Sequence, residues 1–238
     1  GLDFDVWPAA DGFGLTWDAN AHVKVAEKIF VDADYAFGYS SFDFFGGRFK
    51  QAAYGNLTGG AHYADFLNPD LAFHAGATLT LPFLHDPSNE VALSAAVLAS
   101  TRAYVDAYRF VPGSMPLRFG GGIEVRIVPR LYYRGSIMPT LYIPVKSGVD
   151  TEFFIDQVNE LEYRLDMGFG GGLHLQEAFT LTASDLIQLA LEPFVGYEAP
   201  GQGFYGRFGL LVALDKTAGF GFDRNKLATL RFAGGYHW

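Results

Sequence analysis

The chain has 238 residues, of which 50% are hydrophobic, and it is rich in Phe (23), Tyr (13) and Gly (29). No run of about 18 uncharged apolar residues occurs, which excludes a transmembrane helix. The net charge of -9 disfavours a nucleic-acid partner, and the absence of Cys excludes disulfides and thiolate metal sites. We expect one domain over residues 1–238. Because Gly1 opens the chain without Met, we expect a mature form from which a secretory signal was removed.

Strict two-residue alternation begins near the N-terminus. From position 17 to 25 the odd positions are apolar, and the even positions are Asp18, Asn20, His22 and Lys24. After a tight turn at 27–28, apolar residues again take the odd positions up to residue 39. Alternation with period two is typical of β-strands that have one apolar and one polar face. These two segments predict a β-hairpin.

The same alternation continues through the rest of the chain. It predicts strands near residues 2–8, 15–26, 29–39, 49–63, 71–83, 117–127, 131–145, 159–175, 179–184, 186–198, 204–215 and 226–238. The count is therefore about twelve. It falls to about ten without the first segment and the short piece 179–184.

A long connection over residues 84–116 interrupts the strands. Asp86, Pro87 and Ser88 resemble a helix start, and six Ala follow between positions 92 and 107. We predict a helix over about residues 88–109, which leans on the mouth of the structure that the strands form or folds into it. Because the odd positions from 91 to 99 also alternate, another hairpin is the alternative, which raises the count to about fourteen.

The last segment carries a recognisable terminal pattern. Aromatic residues and Gly alternate at Phe232, Gly234, Tyr236 and Trp238, the last residue of the chain. This strand resembles the C-terminal assembly signal of bacterial outer-membrane β-barrels. The resemblance implies a single antiparallel up-and-down transmembrane β-barrel in the outer membrane. It also implies outer-membrane lipid, lipopolysaccharide and the barrel-assembly machinery as partners. A half-buried strand of a soluble β-sandwich is the alternative.

A weak repeat suggests how the strands are oriented. Aromatic and Gly-rich runs start at Phe119, Phe169 and Phe232. If the third descends to the periplasm, the first two are expected to descend as well, into tight turns at 128–130 and 176–178. Longer extracellular connections are then expected at 40–48, 84–116 and 146–158. Short turns at one end and long loops at the other are typical of outer-membrane barrels.

Outward apolar faces leave the polar faces to line the lumen. The ionisable and amide residues predicted there are Asp18, Asn20, His22, Lys24, Asp32, Asp34, His74, Arg118, Glu124, Arg126, Arg134, Glu162, Arg164, Asp166, His174 and Arg207. Ionised groups in such a space must pair with one another or contact water. The lumen is then either plugged by ion pairs or filled by a water column.

The polar lumen favours a channel for small solutes. A closed barrel that anchors or scaffolds an envelope partner is the alternative, and a hydrophobic-substrate transporter or a barrel enzyme comes third. No nucleophile adjoins the His residues, and His85-Asp86 is the only adjacent pair of a barrel-protease type. No His-x-His or His-x3-His spacing is present, so the sequence predicts neither a metal site nor a cofactor.

Overall fold

A computed structural model describes residues 1–9, 12–44, 47–84, 88–101, 106–148, 150–181, 187–201, 203–214 and 228–237. Twelve strands account for most of it. In chain order they are β1 (Leu2–Ala9), β2 (Gly12–Ala26), β3 (Ile29–Phe44), β4 (Gly47–Asn68), β5 (Leu71–Leu81), β6 (Ser114–Val128), β7 (Leu131–Pro144), β8 (Glu152–Arg164), β9 (Phe169–Thr180), β10 (Ile187–Glu198), β11 (Gly203–Ala213) and β12 (Ala228–His237).

The strands form one closed antiparallel barrel. Each strand pairs with its neighbours in sequence, and β1 closes the ring against β12 with Phe4 opposite Phe232. Closure leaves no unpaired sheet edge. The prediction of a twelve-stranded up-and-down barrel is confirmed.

The two ends of the barrel differ. The chain starts at the end where short connections join the strands, for example at 27–28, 69–70 and 129–130, and we call this the turn end. We call the opposite end the loop end, and the long connection between β5 and β6 lies there. The predicted tight turn at 128–130 and the predicted long connection at 84–116 lie at these two ends, whereas β1 and β2, and β3 and β4, are joined at the loop end by only two residues each.

One predicted strand is wrong, because residues 159–175 contain a turn. β8 ends at Arg164, and β9 begins at Phe169 and runs towards the loop end. Gly168 has φ +90, and a Cβ there would lie 2.2 Å from the carbonyl oxygen of Glu198, so this turn requires glycine. Leu165 and Met167 hide the turn because they continue the apolar alternation. The Gly-rich run at Phe169 therefore runs towards the loop end, which is opposite to the predicted direction. The predicted turn at 176–178 lies within β9.

Three other boundaries are also wrong. The predicted piece 179–184 begins at the end of β9, and its residues 182–184 lie outside the described part of the chain. The predicted loop at 40–48 is largely strand, since β3 continues to Phe44 and β4 begins at Gly47. Much of the predicted loop 146–158 belongs to β8, which begins at Glu152.

The helix predicted in the long connection is present as α1 (Asn89–Thr101). The Ser88 hydroxyl accepts a hydrogen bond from the Val91 amide at 3.4 Å, as an N-cap does. A one-turn 3-10 helix follows at Ala107–Arg109. The alternative of a further hairpin is therefore wrong. Residues 85–87 and 102–105 lie outside the described part of the chain.

α1 folds into the barrel rather than standing above it. Leu98 is fully buried, and its Cδ1 would lie 2.2 Å from a Cβ at position 38 of β3, so Gly38 leaves the space that Leu98 fills. Leu98 belongs to an apolar cluster in which the loop packs on the inner wall, formed by Ala36, Ala53, Leu84, Ala95, Leu98, Ala99, Ala107 and Phe110. We call residues 84–113, anchored by this cluster, the inserted loop.

The outer wall is apolar and aromatic. Phe232 packs against Phe208 at 5.0 Å between ring centroids, and Tyr236 packs against Phe204 at the same distance. Phe204 remains 71% exposed. Trp238 lies outside the described residues. Among the described residues, no helix is long and apolar enough to cross a membrane.

Candidate functional site

The inward face of the barrel is a nearly continuous polar surface. Along β2 the buried Thr16 and Asp18 alternate with the exposed, outward Trp17. Hydrogen bonds link neighbouring inward residues, such as the Thr58 and Thr80 hydroxyls at 3.0 Å. The candidate site is therefore the lumen, and its polar groups fall into three clusters.

The first cluster forms where the inserted loop meets the wall. The Arg109 guanidinium, on the loop, forms ion pairs with Asp18 of β2, with Asp34 of β3 at 3.7 Å and with Asp106 at 3.3 Å. Asp18 is fully buried and Arg109 is 8% exposed. A buried arginine among carboxylates ties the loop to two strands.

Tyr108 joins the same cluster to the opposite wall. Its hydroxyl donates to Asp34 at 3.2 Å, and the Arg118 guanidinium lies 3.9 Å from its ring centroid. Arg118 in turn approaches Asp156 at 3.6 Å. Burial raises the pKa of the Tyr108 hydroxyl, so it stays protonated as a hydrogen-bond donor. We call this cluster the constriction; it comprises Asp18, Asp34, Asp106, Tyr108, Arg109, Arg118 and Asp156.

The second cluster is an arginine–carboxylate network on β6–β12, which we call the ladder. Glu160 accepts hydrogen bonds from Arg134 at 2.6 Å and from Arg207 at 2.5 Å, so it joins β7 to β11. Arg134 also pairs with Glu124, and Arg164 pairs with Glu162 at 2.9 Å.

The ladder continues towards β12 and β1. Glu192 lies 2.9 Å from Arg231 and 3.4 Å from the His174 imidazole, and Arg231 also reaches Asp5 at 3.2 Å. A Cβ at Gly209 would lie 2.2 Å from the Glu192 carboxylate, so this inward glycine makes room for it. Most of the ladder's charges are thus paired along the wall.

The third cluster, the imidazole cluster, lies on β2–β5. His22 and His62 each place Nδ1 2.7 Å from one oxygen of Asp32. The His62 ring stacks on Phe30 at 4.9 Å, and the His74 ring centroid lies 6.4 Å from that of His62.

Four predicted lumen residues lie near the turn end. Asn20 donates to Asp3 at 3.4 Å, Lys24 lines a cavity, and Arg126 pairs with Asp70 at the rim. Asp166 does not line the lumen, because it sits in the 165–168 turn and pairs with the exposed Arg130. That hydrogen bond lowers the pKa of the Asp166 carboxyl.

Cavities occupy the lumen near the turn end and at mid-height. One of about 730 Å³ is lined by Lys24, His74, Glu124, Arg134 and Glu160, among others. A second of about 450 Å³ adjoins the imidazole cluster. The lumen thus contains solvent-sized space below the constriction.

Sequence reasoning missed several important residues. Arg109 ends the predicted helix 88–109 and was not among the predicted lumen residues, and the insertion of the loop brings it to Asp18. Glu160 lies at the start of the predicted strand 159–175 but was not among the predicted lumen residues, and it lies on β8. Arg231 and Glu192 alternate with apolar residues, which is a signal that could have identified them. His85 and Asp86 lie outside the described residues.

No family model matches the chain, and no curated protein matches its sequence. Solved structures do match its fold. The NanC porin aligns over 100% of both chains with a TM-score of 0.60 and 7% identity. An outer-membrane channel from Pseudomonas putida F1 aligns over 99% of this chain and 93% of its own, with a TM-score of 0.63 and 9% identity. The KdgM porin gives 0.54 and 8% identity, over 100% of this chain and 98% of its own. The chain therefore has the barrel fold seen in outer-membrane porins and channels.

Proposed function

We propose that this protein is an outer-membrane channel for small polar solutes, with its turn end in the periplasm. The observation that carries the proposal is the combination of a polar lumen containing cavities with a loop that folds inward and narrows it. A scaffold has no need of solvent-sized space inside its wall. The porin-like fold supports the same function. The apolar outer wall is proposed to contact outer-membrane lipid and lipopolysaccharide, and the β12 aromatic pattern to engage the barrel-assembly machinery.

The net charge of the constriction indicates which solutes the lumen favours. Among the described residues, two arginines face four carboxylates there, namely Arg109 and Arg118 against Asp18, Asp34, Asp106 and Asp156. A narrow passage lined by an excess of one charge attracts the opposite charge. We therefore propose a preference for cations and neutral solutes over anions.

The proposed preference differs from one neighbour's ligand. A structure of the KdgM porin contains disordered oligogalacturonate, an acidic sugar chain. Its fold is similar to this one at a TM-score of 0.51 and 7% identity. The carboxylate excess at the constriction argues against the same ligand class here.

Planar-bilayer recording tests the proposal. Protein refolded in detergent and inserted into a bilayer should give stepwise currents, with a reversal potential in a salt gradient that indicates cation preference. Asp106→Asn removes one constriction carboxylate and should shift that potential towards anions. Asp166→Asn, in the exposed turn, is the matched control and should not shift it. A folded barrel that gives no current contradicts the channel.

A closed barrel that scaffolds an envelope partner is the second candidate. The buried Arg109 and the anchored α1 favour it, because both fill the loop end. A variant in which residues 84–112 are replaced by a short Gly-Ser linker separates the two. The scaffold predicts that the wild type gives no current and that only the variant conducts, whereas the channel predicts current from both.

A further inference from the structure

The imidazole cluster is the one lumen cluster built around a carboxylate without an arginine or lysine. Among the described residues, the Asp32 carboxylate forms hydrogen bonds only with the His22 and His62 imidazoles, each through Nδ1 at 2.7 Å. In the constriction and the ladder, by contrast, carboxylates such as Asp18 and Glu160 contact arginine. The cluster therefore is not part of the ion-pair wall.

The three side chains are arranged as ligands would be. One ligand atom from each of His22, Asp32 and His62 lies within 4.8 Å of the other two. Metal–ligand bonds of about 2.0–2.2 Å place two ligands of one tetrahedral ion about 3.3–3.6 Å apart, so these side chains could surround an ion after a small adjustment of their rotamers. We propose that His22, Asp32 and His62 bind a divalent transition-metal ion such as Zn²⁺.

The backbone holds this set in place. The three ligands come from adjacent strands, β2, β3 and β4, with His22 directly opposite Asp32 in the register. A Cβ at Gly76 would lie 2.6 Å from the His62 Cβ, so this glycine makes room for the His62 side chain. The Phe30 ring stacked on His62 further fixes the imidazole plane. Ligands fixed by a closed sheet need little rearrangement to bind an ion.

The donor set indicates the class of ion. Two imidazoles and one carboxylate suit zinc and other first-row transition ions, whereas calcium and magnesium prefer oxygen ligands alone. The adjoining cavity of about 450 Å³ leaves a fourth position for water or a solute. Coordination through Nδ1 requires each ring to carry its proton on Nε2, so the protons now donated to Asp32 move to the other ring nitrogen.

The spacing of His residues in the sequence does not reveal the set of His22, Asp32 and His62. The motifs that reveal His-based sites place ligands on one helix or strand, whereas here each ligand lies on a different strand. Only the cross-strand register brings positions 22, 32 and 62 together. The prediction of no metal site rested on local spacing alone.

Cobalt absorption provides a direct test. Co²⁺ is titrated into tag-free, chelator-washed protein folded in detergent, and visible d–d bands are recorded before competition with Zn²⁺. We expect one Co²⁺ per barrel, with bands that disappear when Zn²⁺ is added. Loss of an outer-shell partner weakens metal binding about 10–100-fold. His62→Gln and Asp32→Asn each remove a ligand and should weaken Co²⁺ binding by more than that. His174→Gln, which removes a lumen imidazole elsewhere, is the matched control and should leave the titration unchanged.

A second measurement needs no variant. Zn²⁺ should slow carbethoxylation of His22 and His62 by diethylpyrocarbonate, read by peptide mass spectrometry, and should leave His174 reactivity unaltered. The absence of cobalt bands in the wild type, their persistence in both ligand variants, or equal reactivity of His22 and His62 with and without Zn²⁺ overturns the proposal. Neither readout involves ion conduction, so the outcome does not depend on whether the barrel conducts.

Discussion

The two ends of the lumen are built on different principles. At the loop end, α1 packs apolar side chains such as Leu98 and Ala95 on the inner wall, and one arginine fastens the loop. Towards the turn end, the ladder pairs charges along the wall and leaves cavities beside them. The first arrangement obstructs the lumen with a separate segment, whereas the second lines it with side chains of the barrel itself. Width and wall chemistry are thus set by different parts of the chain.

The largest effect is expected from a substitution at Arg109, which attaches the inserted loop to the inner wall. Arg109→Met leaves Asp18 buried without its arginine, and removing one partner of a buried ion pair costs about 3–5 kcal/mol. We expect a loss of this size in the free energy of unfolding, measured by urea titration in detergent or lipid vesicles.

A double variant distinguishes charge from packing at the same position. Adding Asp18→Asn to Arg109→Met removes the buried charge as well, and it should recover part of the lost stability. Arg130→Met, at an exposed turn, is the matched control and should have little effect. If the double variant is no more stable than Arg109→Met, the ion pair is not what holds the loop.

The next effect tests the apolar contact of α1. Leu98→Ala leaves a cavity against the inner wall, and buried Leu-to-Ala changes cost about 2–5 kcal/mol. The same change at Leu210, which points outward from β11, creates no internal cavity and serves as control. Proteolysis should cleave the inserted loop faster in Leu98→Ala than in wild type. Equal cleavage rates contradict an anchored loop.

A smaller effect comes from filling the space that Leu98 occupies. Gly38→Ala places a Cβ 2.2 Å from the Leu98 Cδ1, which forces the Leu98 side chain or its helix to shift. Overpacking of this kind costs about 1–3 kcal/mol. At Gly59→Ala the nearest atom is the Asp32 carbonyl oxygen at 3.9 Å, so that variant should melt as the wild type does. Equal melting temperatures for both variants contradict the packing at position 38.

The smallest effect concerns the turn end. The Arg130 hydrogen bond lowers the pKa of Asp166 in the folded state. The stabilisation of the folded state by this hydrogen bond is therefore fully present above the unfolded pKa of about 3.9, and it is lost as the pH falls through the lower folded pKa. Asp166→Asn should therefore reduce stability slightly at neutral pH and not at strongly acidic pH. Thermal melts at both pH values check this. An equal loss at both pH values contradicts the ion-pair account.

The sequence predicted the barrel well because its signal is periodic and local. Each of β2, β3, β6 and β12 has one apolar face, and because side chains alternate between the two faces of a strand, this pattern can be read from each segment alone. The same alternation failed at Leu165–Gly168, where a turn happened to keep the apolar period. The positive φ at Gly168 produces this turn, and the apolar periodicity of the sequence contains no information about that backbone angle.

The site was less predictable because its contacts cross the lumen. Alternation assigned Arg134, Glu162, His174 and Arg207 to the inward face, but their partners depend on strand register and side-chain reach. The position of Arg109 depends on how a loop folds into the barrel, which no local pattern encodes. Alternation therefore indicated the inward direction of these four residues, although it misplaced Asp166, and it gave no information on their pairing.

The central claim is that the inserted loop narrows a conducting lumen. Single-channel recording of the wild type beside the variant in which a Gly-Ser linker replaces residues 84–112 tests it most directly. The account predicts small, cation-preferring steps for the wild type and larger steps with weaker preference for the variant, since the linker removes Arg109 and Asp106 together with α1. Equal conductance of the two folded barrels, or no current from the wild type, would contradict it.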